Sequence, residues 1–189
     1  MYIDSSGIYE TAEKTAAFCG SRDPFRAAQE LGIYVDIIGG FHDLLGMFVF
    51  VNGERHILLN NGLSSVMSGI VCAHELGHDA LHRKQLEDCR MYCDANSCFS
   101  KNRTEYEANA FAAHFLIGNS DVTERLPVFS DIMSLSRDLN TEMDLLLIKL
   151  NEMKRLGFDV NVPLEADGSF LSRLSADSGG KGDGFSDGI

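Results

Sequence analysis

The chain has 189 residues, 44% of them hydrophobic, with 28 acidic and 16 basic residues and a formal net charge of −12. That length suits one domain with a sizeable core and a tail, and the hydrophobic share is that of an ordinary globular protein. The acidic balance, with no basic stripe to offset it, argues against direct nucleic-acid binding. No apolar run reaches the ~20 residues that a membrane helix needs. The start of the chain lacks the basic and apolar segments of a secretory signal, so the expected location is the cytoplasm, with the five cysteines as reduced thiols.

In chain order, Ile8, Ala12, Ala16 and Phe18 predict a short amphipathic helix within an N-terminal segment, residues 1–22. Asp23 and Pro24 are a cap and first-position pair that opens a second helix to about Leu31, where Gly32 ends it. Tyr34–Ile38 predicts a strand, broken by Gly39 and Gly40. Leu44–Val51 predicts a second strand, Asn52–Gly53 a two-residue hairpin turn, and Arg55–Leu59 the returning strand. The expected fold class is therefore α+β, a sheet of about three strands preceding and packed on helices.

The next run, Ser64–His82, has no proline, and Val66, Ile70, Ala73, Gly77 and Leu81 recur at helical spacing. Within it stands His74-Glu75-Leu76-Gly77-His78. Residues four apart on a helix are offset by about 6 Å and rotated by about 40°, so both imidazoles reach one ion. Glu75 lies about 100° round from His74, beside such an ion and able to take a proton from a water it activates. His82, about 12 Å further along the axis than His74, is too far to share the ion. Gly77 lets another backbone or a ligand come close.

The stretch 83–101 carries Cys89, Cys93 and Cys98, whose spacing admits a second zinc site only if His82 joins them; small residues packed in a loop are the plainer reading. A second helical run, Arg103–Leu116, has an apolar face of Ala110, Phe111, His114 and Phe115. Glu107 shares a face with Phe111 and His114, and a carboxylate from this helix completes a His, His, Glu set that leaves one position to water. Two further helices are expected over about 128–139 and 142–156. Residues 166–189 form an expected disordered tail, with almost nothing to bury beyond Ser175.

His74-Glu-Leu-Gly-His78, preceded by Ile70-Val-Cys-Ala73 and followed some thirty residues on by Glu107-Ala-Asn-Ala-Phe-Ala112, resembles the ImmA/IrrE family of zinc metallo-endopeptidases. Asp23–Ile33 resembles that family's opening helix, so the likeness spans about residues 23–117. It implies a small zincin-like metallopeptidase domain over about residues 23–165, of gluzincin-like type. It also implies Zn²⁺ as cofactor, held by His74, His78 and Glu107, with Glu105 as the alternative third ligand and Glu75 as the catalytic base. The implied partner is a protein substrate, a helix-turn-helix transcriptional repressor of a phage or mobile genetic element, whose cleavage relieves repression. The other function class is a zinc-stabilised interaction module, or a toxin–antitoxin partner, that binds a regulator without cutting it. Neither a fused helix-turn-helix module in front nor a sensory domain behind is expected.

Overall fold

A computed structural model describes residues 3–41, 44–91, 101–129 and 131–160. The first helix, α1 (Ser5–Cys19), is opened by the Asp4 carboxylate, which accepts from Gly7 N–H, and closed by Gly20 in the left-handed region. In α2 (Pro24–Glu30) Asp23 accepts from the Phe25 and Arg26 N–H groups, with Pro24 in the first turn where its missing donor costs nothing.

Three strands follow: β1 (Tyr34–Ile38), β2 (Gly46–Val51) and β3 (Glu54–Asn60). Asn52 and Gly53 both take positive φ (51° and 88°), the pairing a two-residue hairpin turn requires. β2 and β3 are antiparallel, with Phe48 opposite Ile57, whereas β1 is parallel to β3, with Tyr34 opposite His56. The strand order β1-β3-β2 leaves β2 at one edge of the described sheet.

The two long helices are α3 (Ser65–Met91) and α4 (Lys101–Leu116). α3 runs past His82, where its expected end lay, because no glycine or proline interrupts the chain between His82 and Met91. Ile70, Val71, Cys72, Ala73 and Leu76 of α3 and Ala108, Ala110, Phe111, Ala112 and Phe115 of α4 are buried. Gly77 marks their closest approach: a Cβ there would lie 3.0 Å from the Ala108 carbonyl oxygen and 3.2 Å from Phe111 Cβ. At the far end of α4, Arg22 donates to the His114 and Phe115 carbonyls and pairs with both oxygens of Glu13, tying the α2 entry and α1 to the otherwise orphaned carbonyls of α4.

A short helix that is not expected from the sequence, α5 (Asn119–Arg125), precedes Pro127, and the helix expected over about 128–139 is present in shorter form as α6 (Ile132–Asp138), capped by Asp131 through Ser134 N–H. α7 (Met143–Arg155) is the expected amphipathic helix; Leu146, Leu147, Leu150 and Met153 are buried on it. No helix among the described residues is long and apolar enough to cross a membrane. Cys93, Cys98 and the expected tail over 166–189 lie outside the described residues, as does the Cys89 side chain. Cys19 and Cys72 are buried free thiols, and burial pushes the Cys72 thiol up to about 12, so it stays protonated and unreactive.

Candidate metal centre

His74 and His78 sit one turn apart on α3, and their Nε2 atoms are 3.1 Å from each other. The third acidic group beside them is Glu105 of α4. Its carboxylate oxygens lie 3.3 Å from His74 Nε2 and 3.5 Å from His78 Nε2. These two separations match the edges of a tetrahedron built on metal–ligand bonds of about 2.0–2.2 Å, which are about 3.3–3.6 Å long. His74, His78 and Glu105 are also the described residues whose ligand atoms cluster closely enough for one ion.

The expected third ligand, Glu107, is not brought to the histidine pair. It bonds His82 Nε2 at 3.0 Å and accepts from Arg103 Nε at 2.8 Å. Residues two apart on a helix point about 200° from each other, so only one of Glu105 and Glu107 can face the ion, and the rotation of α4 against α3 decides which. Two signals in the sequence bore on this choice. Arg103 stands four residues before Glu107 and supplies it with a partner on its own helix. Asn109 stands four residues after Glu105, on the same face, and Asn109 Oδ1 lies 2.8 Å from His74 Nδ1. With its Nδ1–H donated to that amide oxygen, neutral His74 turns its Nε2 lone pair towards the cluster.

Glu75 is almost fully buried beside the pair. Burial pushes its carboxyl up to about 7; His74 opposes the rise, the Glu105 charge adds to it, and a hydrogen bond from the Phe48 backbone opposes it. That last contact puts the edge strand β2 directly against Glu75. Burial, followed by the His74 charge, holds the His78 imidazole down at about 3, so it stays neutral and able to ligate. For His74 burial acts in the same direction, but its bond to Glu105 and the charges of Glu75 and Glu105 outweigh burial and leave it raised. Glu105 is lowered: burial works against its charged form, and the contact with His74 overcomes it. Side chains of opposite preference therefore meet at one point, with Glu105 the most exposed of the set at 40%.

His114, which shares the Glu107 side of α4 in the sequence reading, lies elsewhere. It is fully buried, with Lys149 Nζ 3.0 Å from its Nδ1 and Glu152 beside its other nitrogen. His82, too far along α3 to join the ion, reaches the site indirectly: its Nδ1 is 3.2 Å from His78 Nδ1.

Comparison with known proteins places the chain in a family. The family model for Peptidase M78, described as the IrrE N-terminal-like domain, matches residues 22–151, which contain every element from α2 to α6 and most of α7. A protein of Bacillus phage phi105 with the name "Uncharacterized immunity region protein 2" is 30% identical over 102 residues, covering 50% of this chain and 58% of that protein. The chain thus spans little more than half the length of that relative. With 22–151 matched, the chain belongs to the Peptidase M78 family of metallopeptidases, through its IrrE N-terminal-like domain.

Proposed function

We propose that this chain is a cytoplasmic zinc endopeptidase of the HExxH, gluzincin-like kind, in which His74, His78 and Glu105 hold the ion and Glu75 is the catalytic base. The observation that carries the reading is the convergence of two imidazole nitrogens and a carboxylate at 3.1–3.5 Å, beside a buried carboxylate that is not part of the set. A donor set of two imidazoles and one carboxylate suits Zn²⁺, which would polarise a scissile carbonyl and bring a coordinated water towards a pKa of about 7. Glu75, held near 7 by burial, is matched to take a proton from water and hand it to the leaving amine. β2 lies at the sheet edge and touches Glu75 through Phe48, so an extended peptide pairing with that edge would run past the base.

In this reading the substrate is a helix-turn-helix repressor of a phage or mobile element. The resemblance to ImmA/IrrE peptidases supports it, as does a phage relative named for an immunity region. A net charge of −12 favours encounter with a basic DNA-binding partner.

The test is co-expression with the repressor encoded nearest to this chain, comparing wild type with Glu75→Gln and measuring bound zinc in both. Glu75→Gln should keep its zinc and lose about 10²–10⁴-fold of the cleavage rate, the share a positioned base contributes. Zinc binding and repressor binding without cleavage by wild type would replace the peptidase with an interaction module. Absence of zinc binding by wild type would end the metal-centre reading.

A further inference from the structure

A chain of hydrogen bonds runs from the second histidine of the pair into the protein. His78 Nδ1 lies 3.2 Å from His82 Nδ1, and His82 Nε2 lies 3.0 Å from Glu107 Oε2. The other Glu107 oxygen accepts from Arg103 Nε at 2.8 Å. His82 is 3% exposed and Glu107 9%, so solvent has little access to these contacts. Each half of the chain is an i, i+4 pair: His78 and His82 on α3, Arg103 and Glu107 on α4.

With both imidazoles neutral, the direction of every proton in the chain follows from its acidic end. A carboxylate with Arg103 on one oxygen has only lone pairs to offer on the other, so His82 Nε2 carries the hydrogen of that contact. A neutral imidazole has one donor and one acceptor nitrogen, which makes His82 Nδ1 the acceptor. The hydrogen between the two rings therefore belongs to His78 Nδ1. His78 Nε2 is left with a bare lone pair, facing His74 Nε2 and Glu105. Run the other way, the same chain would put a hydrogen on His78 Nε2, where it blocks ligation.

We propose that Glu107, acting through His82, is the positioning residue that fixes His78 in the tautomer able to ligate. This rests on the reading of His74, His78 and Glu105 as the ligand set. His74 is oriented by the Asn109 amide, which can turn over to present either a donor or an acceptor; the Arg103-paired carboxylate cannot. Ligating histidines commonly donate straight to a carboxylate or carbonyl. Here a second imidazole is interposed, and it transmits the same constraint from one turn further along α3.

The bland alternative is that Glu107 and His82 merely tie α4 to α3. Glu107→Gln separates the two. It is close to isosteric, and its amide can donate to His82 Nε2, which permits the chain to reverse. In metal-free protein, nitrogen-detected NMR of the imidazoles should show wild-type His78 as the Nδ1–H form and Glu107→Gln with the Nε2–H form mixed in. Zinc affinity, read by competition with a chromophoric chelator, should fall about 10–100-fold. Glu107→Asp, which keeps an acceptor-only group, should restore the wild-type tautomer. If Glu107→Gln does not fold, His82→Gln carries the same two readouts. An unchanged His78 tautomer and unchanged zinc affinity, with only the melting temperature lowered, would overturn the proposal. Should wild type itself bind no zinc, the ligand-set reading falls, while the tautomer comparison still decides whether Glu107 sets His78.

Discussion

Glu105 and Glu107 are chemically identical and two residues apart, yet their surroundings assign them different work. Glu105 is partly exposed and touches both His74 and His78; Glu107 is buried, paired with Arg103, and touches neither. Their glutamine variants should therefore differ in kind as well as degree. With the proposed ligand set, Glu105→Gln removes a charged donor atom from the cluster and is expected to weaken zinc binding by more than the ~10–100-fold assigned to Glu107, which acts through His82. Its His78 tautomer should stay as in wild type, because the chain through His82 is intact. Chelator competition on the two variants side by side measures this. Equal losses, or a larger loss for Glu107→Gln, would mean that α4 sits rotated from the arrangement described. The choice between these two carboxylates was the point at which the sequence alone fell short. Helical spacing shows that they face opposite ways, but which way α4 turns is decided by Gly77, Ala108 and Phe111 packing together, and that contact joins segments thirty residues apart.

At the scale of the elements, Gly77 is what allows α4 to deliver Glu105 to the histidines. An added Cβ would meet Ala108 Cα at 3.1 Å and the Ala108 carbonyl oxygen at 3.0 Å, both backbone atoms that cannot swing aside. In an exposed helix, glycine to alanine would gain about 1 kcal/mol of helix propensity. Here overpacking, which costs about 1–3 kcal/mol, acts against it. Gly77→Ala is expected to come out neutral to about 2 kcal/mol destabilised by chemical denaturation, and to lose zinc affinity because α4 is pushed off α3. Gly77→Val should be worse on both counts. A Gly77→Ala variant that is more stable than wild type with full zinc affinity would show that the helices have room to spare. The same scale explains which elements could be read from the chain. The Asp23–Pro24 helix start, the Asn52–Gly53 hairpin and the histidine helix all announce themselves within a few residues, through a cap, a turn and a periodicity. The parallel pairing of β1 with β3 has no such local mark, since Tyr34 and His56 are neighbours in the sheet but are separated along the chain by the whole of β2. α5 escaped notice because Gly118 opens it with no side-chain cap.

At the scale of the whole molecule, α1, α4 and α7 enclose a second set of ionisable groups, apart from the candidate metal centre. Lys149, Glu152 and His114 are fully buried there. Glu152 accepts from Tyr106 at 2.6 Å and from Arg155 at 2.7 Å, while among the described residues Lys149 meets a histidine nitrogen at 3.0 Å. Burial, which the nearby Glu13 only partly offsets, drops the Lys149 ammonium to about 7 from its ordinary 10.5. Burial works against the Glu152 carboxylate as well, but the facing His114 imidazole 3.9 Å away, the Tyr106 hydroxyl and Ser5 outweigh it, and it falls to about 2 from 4.5. The two shifts act on stability in opposite ranges of pH. Between about 7 and 10.5 the unfolded chain holds the lysine proton and the folded one does not, so the Lys149 contribution makes stability rise with pH across that window. Glu152 contributes stability above about 4.5 that is lost as pH falls towards 2, because there the unfolded chain takes up the proton first. Denaturant unfolding of the metal-free protein from pH 3 to pH 10 should thus show an acid flank that Glu152→Gln flattens and an alkaline rise that Lys149→Met flattens. Lys149→Met should in addition be as stable as wild type or more so at pH 7, since it replaces a poorly partnered buried amine with an apolar group of similar length. If the alkaline rise persists unchanged in Lys149→Met, then Lys149 keeps its proton in the fold, and the three-helix interface must hold a charge that the His114 contact does not balance.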